Sequence, residues 1–202
     1  MPDILPLKNP HFIGSWDVDK NLCRDICNFF NFNDQFHAPG ETSIGIDVSK
    51  KKSIDLEVHP KDINLSSHAA IKSYFSELLN CYSLYKKEWP FLEETFPKVD
   101  ISSFNIQKYE EGGHFSKIHS ERTSILNLHR LFAFMTYLND DFEGGKTYFS
   151  HYDITITPKT GLTLIWPAEW THAHRGGEVE RGSKYIITGW INIHLPSITP
   201  PI

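Results

Sequence analysis

The chain has 202 residues, 40% of them hydrophobic, and a formal net charge of −5. That length supports one well-formed core and is short for two independent domains, so residues 1–202 read as a single domain. The acidic balance, with no basic run longer than Lys50, Lys51 and Lys52, excludes nucleic acid and membrane as main partners, and the triplet reads as solvated surface.

Residues 1–17 lack a basic stretch followed by an apolar one, and no apolar run approaches the roughly 18 to 20 residues of a membrane span. A soluble, cytoplasmic protein is expected, of open oligomeric state. Residues 18–31 place Val18, Leu22, Ile26, Phe29 and Phe30 at helical spacing behind Asp17 as cap, which predicts an amphipathic packing helix. Cys23 and Cys27 sit on it; with Cys81 they make an odd count without a disulfide framework and read as reduced thiols. Residues 32–63 carry a Pro39-Gly40 turn and the run SIGIDVSKKKSIDLEV, read as loop with one or two short strands. Between Ser66 and about Trp89 the stripe Ile71, Tyr74, Leu78, Tyr82 and Tyr85 predicts a long second helix, ended before Pro90, with its aromatics in the core.

From about residue 101 the texture changes to short runs divided by Gly, Pro, Asn and Asp: SSFNIQKYE, HFSKIH, RLFAFMTYL, KTYF, YDITIT, GLTLIW and KYIITGWINI. Seven or eight strands fit, too closely spaced for crossover helices, so the sheet must be mostly antiparallel. The expected fold is mainly β with flanking helices, with a jelly roll or barrel over about residues 101–195. The helices of about residues 1–100 would pack on one sheet and help form a substrate entrance. RLFAFMTYL, apolar on both faces, suits a strand between barrel interior and helix layer.

Strand geometry sends side chains i and i+2 to one face, so His119 and Glu121 are expected to project together. A histidine from a distant strand, with His174 as candidate, would complete two imidazoles and one carboxylate, the set that suits non-haem Fe(II) with open positions. His172 shares a face with His174 and is the alternative. Alternation in KYIITGWINI puts Lys184, Ile186, Thr188, Trp190 and Asn192 on one face. A buried ammonium costs several kcal/mol without a partner, so an inward Lys184 calls for a carboxylate of the protein or of an acidic ligand.

Residues 109–190 resemble the prolyl 4-hydroxylase-like branch of the 2-oxoglutarate- and Fe(II)-dependent oxygenases. The resemblance runs through YEEGGHF and His119-Ser120-Glu121, then TYLND, FEGGKTYF and ITPKTGLTLIWPAEWTHAHRGGEVERGSKYIITGW. It implies that His119, Glu121 and His174 ligate Fe(II), that Lys184 pairs with the distal carboxylate of 2-oxoglutarate, and that Tyr109, Tyr137 and Thr188 lie near this co-substrate. The ten-residue step from His174 to Lys184 recurs in the family and favours His174 over His172. Glu121 stands where the family usually has aspartate, which keeps charge and ligand hardness and adds one methylene.

The resemblance further implies a double-stranded β-helix core, a cupin-like jelly roll, and a dioxygenase that uses O2, hydroxylates an unactivated C–H bond of a prolyl or other peptidyl side chain, and releases succinate and CO2, with ascorbate as a candidate stimulant. The alternative substrate is a free amino acid or other small molecule. Two other classes compete: a non-catalytic jelly-roll binding or structural module, and a zinc hydrolase of cupin-like shape. His114, His129 and His151 read as surface or loop histidines. Gly112-Gly113 and Gly144-Gly145 read as turns, and Trp166 and Trp170 as core or pocket wall.

Overall fold

The computed structural model describes residues 11–42 and 45–194. The leader-free reading of residues 1–10, the first two residues of the SIGIDV run and the end of the expected core at residue 195 lie outside the described residues.

After strand β1 (Gly14–Asp17) comes helix α1 (Lys20–Phe32). Its cap is Asp19 rather than Asp17: the Asp19 carboxylate accepts from the N–H groups of Asn21 and Leu22 at 2.7 and 2.9 Å. The reason is the strand before it, which holds Val18 extended through a bond from its N–H to the Gly161 carbonyl. Cys23, Ile26 and Phe30 form the buried stripe. Helix α2 (Ala69–Glu88) follows a 3-10 turn over Ser66–His68, buries Ile71, Tyr74, Phe75, Leu78, Cys81, Tyr82 and Tyr85, and stops just before Pro90; α3 is the short Phe91–Thr95.

Between the helices run β2 (Ala38–Pro39), β3 (Lys51–Lys52) and β4 (Ile54–Val58), one strand more than expected. Then follow β5 (Val99–Ile101), β6 (Phe104–Tyr109), β7 (His114–His119), β8 (Arg130–Tyr137), β9 (Glu143–Gly144), β10 (Thr147–Phe149), β11 (Ile154–Ile156), β12 (Leu162–Pro167), β13 (His174–Gly176), β14 (Val179–Arg181) and β15 (Lys184–Ile193). The larger sheet has eight strands in the order β1-β12-β8-β15-β6-β4-β2, with β5 on β15; the smaller has five in the order β11-β10-β13-β7-β3, and β14 with β9 makes a ribbon. All strand pairs are antiparallel. The expected seven or eight strands fell short because the extra ones are two to four residues long and show no alternation.

β8 is apolar on both faces, as its sequence requires. Phe132 and Phe134 belong to the core that α1 and α2 cover, while Ala133, Met135 and Tyr137 face the space between the sheets. Tyr74 of α2 anchors the helix layer: its hydroxyl is 2.8 Å from Thr136 Oγ1, which lies 2.7 Å from Thr163 Oγ1. Tyr74→Phe is expected to cost about 0.5 to 1.5 kcal/mol, a neutral buried hydrogen bond, with Thr163 still serving Thr136. A shift in the urea midpoint at constant m-value measures it, and an unchanged midpoint would contradict the anchoring role.

Lys51 corrects the reading of the lysine triplet as solvated surface. It is 4% exposed, and its ammonium sits 2.6 Å from the Asp55 carboxylate. The cause is topological: the chain passes from the smaller sheet at β3 to the larger at β4 through Ser53, so Lys51 must face the inter-sheet space. Trp170, expected in core or pocket wall, is 67% exposed because it begins a 3-10 turn outside the sheets. Among the described residues no helix is long and apolar enough to cross a membrane.

Candidate metal centre and anion subsite

The smaller sheet brings the two histidines together. β7 ends on His119 and β13 begins on His174, and the register pairs them directly, with ring centroids 4.5 Å apart. Glu121 lies two residues past the end of β7, so simple strand alternation does not place it. Instead the N–H groups of Glu121 and Arg122 both donate to the Ala168 carbonyl, at 3.2 and 3.1 Å, and fold the chain back across the sheet end. Glu121 Oε1 then stands 3.8 Å from His119 Nε2 and 3.6 Å from His174 Nε2. One donor atom from each residue lies within 4.8 Å of the other two.

The tautomers suit a cation. His119 Nδ1 is 2.9 Å from the Lys117 carbonyl and His174 Nδ1 is 2.9 Å from the His172 carbonyl. A carbonyl only accepts, so each Nδ1 carries the proton and each Nε2 turns a lone pair inward. His174 is held neutral, its pKa lowered to about 4 by burial and by the neighbouring His119. Phe115 stacks on His119 at 3.9 Å, and Trp166 and Phe149 pack around His174. His172 is turned away, its Nε2 bonded to the His11 carbonyl at 2.8 Å, so it is not part of the cluster. Two oriented imidazoles and a carboxylate on one face fit Fe(II) with positions left open.

The second Glu121 oxygen is also held. Trp190 Nε1 donates to Oε2 at 2.7 Å, and the Arg130 guanidinium lies 3.5 Å above the Trp190 ring while donating to the Glu121 carbonyl at 3.1 Å. Neither residue was singled out from the sequence as part of the site. Alternation on β15 put Trp190 on the Lys184 face, but the indole donor has no sequence signature.

Lys184 is 3% exposed and, among the described residues, has no carboxylate partner. Its ammonium donates to the Gly145 carbonyl at 3.0 Å and lies 4.7 Å from the centroid of Tyr109 and 6.0 Å from that of Tyr137. Burial lowers its pKa to about 8. Gly144 and Gly145 have φ of +78° and +61°, the left-handed turn expected of this pair, and that turn aims the Gly145 carbonyl at Lys184.

One cavity of about 710 Å³ joins both sites and is lined by His119, Glu121, His174, Lys184, Tyr109 and Thr188, among others. Thr188 Oγ1 donates to the Phe134 carbonyl at 2.9 Å. Tyr137 is fully buried behind the wall, with its hydroxyl 2.6 Å from Thr147 Oγ1, and it is Thr147 that lines the cavity. The Tyr109 hydroxyl donates to Gln107 Oε1 at 2.7 Å, and Gln107 Nε2 donates to Asp55 at 2.9 Å, where Lys51 also ends. Asn192, expected on the Lys184 face, is buried at the end of β15 and does not line the cavity itself, but its Nδ2 donates at 3.1 Å to Ser102 Oγ, and Ser102 does line it.

A two-histidine, one-carboxylate cluster at the end of a jelly roll, with a buried lysine in the same cavity, defines the class of non-haem Fe(II) oxygenases that use an acidic co-substrate. Residues 104–192 match the sequence model of the 2OG-Fe(II) oxygenase superfamily, and the chain has prolyl 4-hydroxylase-like architecture. Among curated proteins the chain is 25% identical over 124 residues to human procollagen-lysine,2-oxoglutarate 5-dioxygenase 1, covering 54% of this chain and 16% of the relative. The chain thus spans about a sixth of that relative's length. Among solved structures it resembles a prolyl-4-hydroxylase from Pseudomonas putida, with TM-score 0.69, 14% identity, and 92% and 94% of the two chains covered. It also resembles a prolyl hydroxylase from Trichoplax adhaerens in complex with a hypoxia inducible factor peptide fragment, with TM-score 0.69, 12% identity and coverages of 92% and 85%.

Proposed function

We propose that the protein hydroxylates an unactivated C–H bond of a peptidyl side chain, prolyl or lysyl, in a reaction dependent on Fe(II) and 2-oxoglutarate. The observation that carries this reading is the joint presence, in one cavity, of the His119, Glu121 and His174 donor atoms and of a buried Lys184 without a protein carboxylate to neutralise it. A zinc hydrolase has no use for such a lysine, and a binding module has no use for either group. The peptidyl character is supported by relatives on both sides, since the sequence relative is named for procollagen lysine and the structural neighbours are prolyl hydroxylases, one of them holding a peptide. Three free cysteines, two of them buried, support a cytoplasmic setting.

When bound, Fe(II) and 2-oxoglutarate supply the oxidising chemistry: O2 gives one oxygen atom to the substrate as hydroxyl and the other to succinate, with release of CO2. The chain's own contribution is orientation. His119, Glu121 and His174 hold the metal by one face, with both imidazole Nδ1 protons fixed on backbone carbonyls. Lys184 holds the far carboxylate of the co-substrate in a site where low dielectric strengthens the attraction. Phe115, Phe149 and Trp166 wall the histidines with apolar surface and limit water around the metal.

The metal-free protein, given Fe(II) and 2-oxoglutarate without oxygen, is expected to develop the visible metal-to-ligand charge-transfer band of the chelate. On admission of oxygen it should form succinate, in amounts raised by peptides containing proline or lysine. Absence of both band and succinate overturns the oxygenase reading. Stimulation by free proline or lysine alone, with none by peptides, overturns the peptidyl substrate.

A further inference from the structure

We propose that Trp190 and Arg130 are positioning residues that keep Glu121 a one-oxygen ligand; the inference rests on the metal site proposed above. A glutamate reaches one carbon–carbon bond, about 1.5 Å, further than an aspartate. With that reach and an extra torsion its carboxylate can turn both oxygens toward a cation, and glutamates bind metals in both the one-oxygen and the two-oxygen manner. Fe(II) held by three protein donors would keep its remaining positions for a chelating 2-oxo acid and for O2. A second glutamate oxygen would occupy one of these.

The geometry opposes that turn. Oε1 is the oxygen between the two imidazoles, 3.8 and 3.6 Å from their Nε2 atoms, while Oε2 accepts the Trp190 indole N–H at 2.7 Å. The bond is charge-assisted and in a half-buried setting, since the Glu121 side chain is 13% exposed. Arg130 closes the device from outside. Its guanidinium covers the indole face at 3.5 Å, fixes the Glu121 backbone through its carbonyl, and lies 3.8 Å from Oε2. Ring, guanidinium and carboxylate therefore constrain one another, and releasing Oε2 toward the metal would strip the indole N–H of its acceptor.

The test is a double-mutant cycle on the full chain, read as the anaerobic affinity of the Fe(II) form for 2-oxoglutarate and as the charge-transfer band of that complex, with Fe(II) affinity measured alongside. Trp190→Phe is expected to leave Fe(II) bound at least as tightly, because the freed second oxygen adds a donor, and to weaken 2-oxoglutarate binding to the Fe(II) form about 10-fold while shifting or weakening the band, as that oxygen competes with the chelate. In a Glu121→Asp background the shorter carboxylate no longer reaches the indole, so Trp190→Phe should change 2-oxoglutarate affinity less than about twofold. Arg130→Met, which leaves the indole in place, should give a smaller loss in the same direction and serves if Trp190→Phe does not fold. Equal losses in both backgrounds, or no loss and an unmoved band in the wild-type background, overturn the proposal while leaving the metal site intact. A wild-type chain that binds neither Fe(II) nor 2-oxoglutarate overturns the metal site, and the positioning role with it.

Discussion

His174→Ala is expected to abolish Fe(II) binding, and with it succinate formation, in a protein that still unfolds cooperatively. His174 supplies one of three donor atoms, and its Nε2 lone pair is fixed inward by the bond from Nδ1 to the His172 carbonyl. Two donors and water hold Fe(II) far less tightly than a complete face, and no other described histidine lies within reach. The fold survives because the ring lines a cavity: its loss removes packing against Phe149 and Trp166 but leaves no charge unpaired, a cost of about 1 to 3 kcal/mol. His172→Ala is the matched control. Its Nε2 is engaged by the His11 carbonyl, so metal binding should persist. Retained Fe(II) affinity in His174→Ala, or its loss only in His172→Ala, would reverse the choice between the two histidines.

Lys184→Ala is expected to weaken 2-oxoglutarate binding about 10- to 100-fold with Fe(II) affinity unchanged, the worth of one charge-assisted hydrogen bond of roughly 1.5 to 3 kcal/mol. The same lysine gives the wild type a pH dependence. Burial lowers its pKa from 10.5 to about 8 in the ligand-free protein. The unfolded chain therefore binds more protons than the folded one between about 8 and 10.5, and the stability of the ligand-free protein rises with pH across that window. Co-substrate affinity goes the other way. It needs the ammonium form, so it is full below about 8 and falls by up to about tenfold per pH unit above. Calorimetric titrations at several pH values should show this fall in the wild type and a flat profile in Lys184→Ala. Binding that is independent of both the mutation and pH would remove Lys184 from the anchor.

Much of the architecture could be read in the sequence because the strongest signals were periodic. The stripe from Ile71 to Tyr85 gave α2, and two-sided apolarity gave β8 its place between helix layer and interior. Alternation on β15 sent Lys184, Ile186, Thr188 and Trp190 to the cavity, and Asn192, at the end of the strand, reaches it only through its bond to Ser102. The failures have one physical root, which is that short elements and tertiary contacts carry no period. Lys51 looked like a solvent-facing lysine until the crossing between sheets put it beside Asp55. Glu121 reached the cluster through the bonds to the Ala168 carbonyl rather than by strand alternation. Tyr137, expected near the co-substrate, is buried with its hydroxyl on Thr147 and its ring centroid 6.0 Å from the Lys184 ammonium.

The hydrogen-bond chain that ends at Asp55 has a fixed proton order. Lys51 can only donate and the Asp55 carboxylate accepts from it, from Ser53 and from the Gln107 amide nitrogen, so the Gln107 oxygen must face Tyr109. The Tyr109 hydroxyl is then obliged to spend its single proton on Gln107. Toward Lys184 it presents its ring, 4.7 Å from the ammonium, which favours a cation but offers no proton to an anion. The ion pair at the junction of the two sheets thereby sets the orientation of the Gln107 amide and, through it, the direction in which the Tyr109 hydroxyl donates.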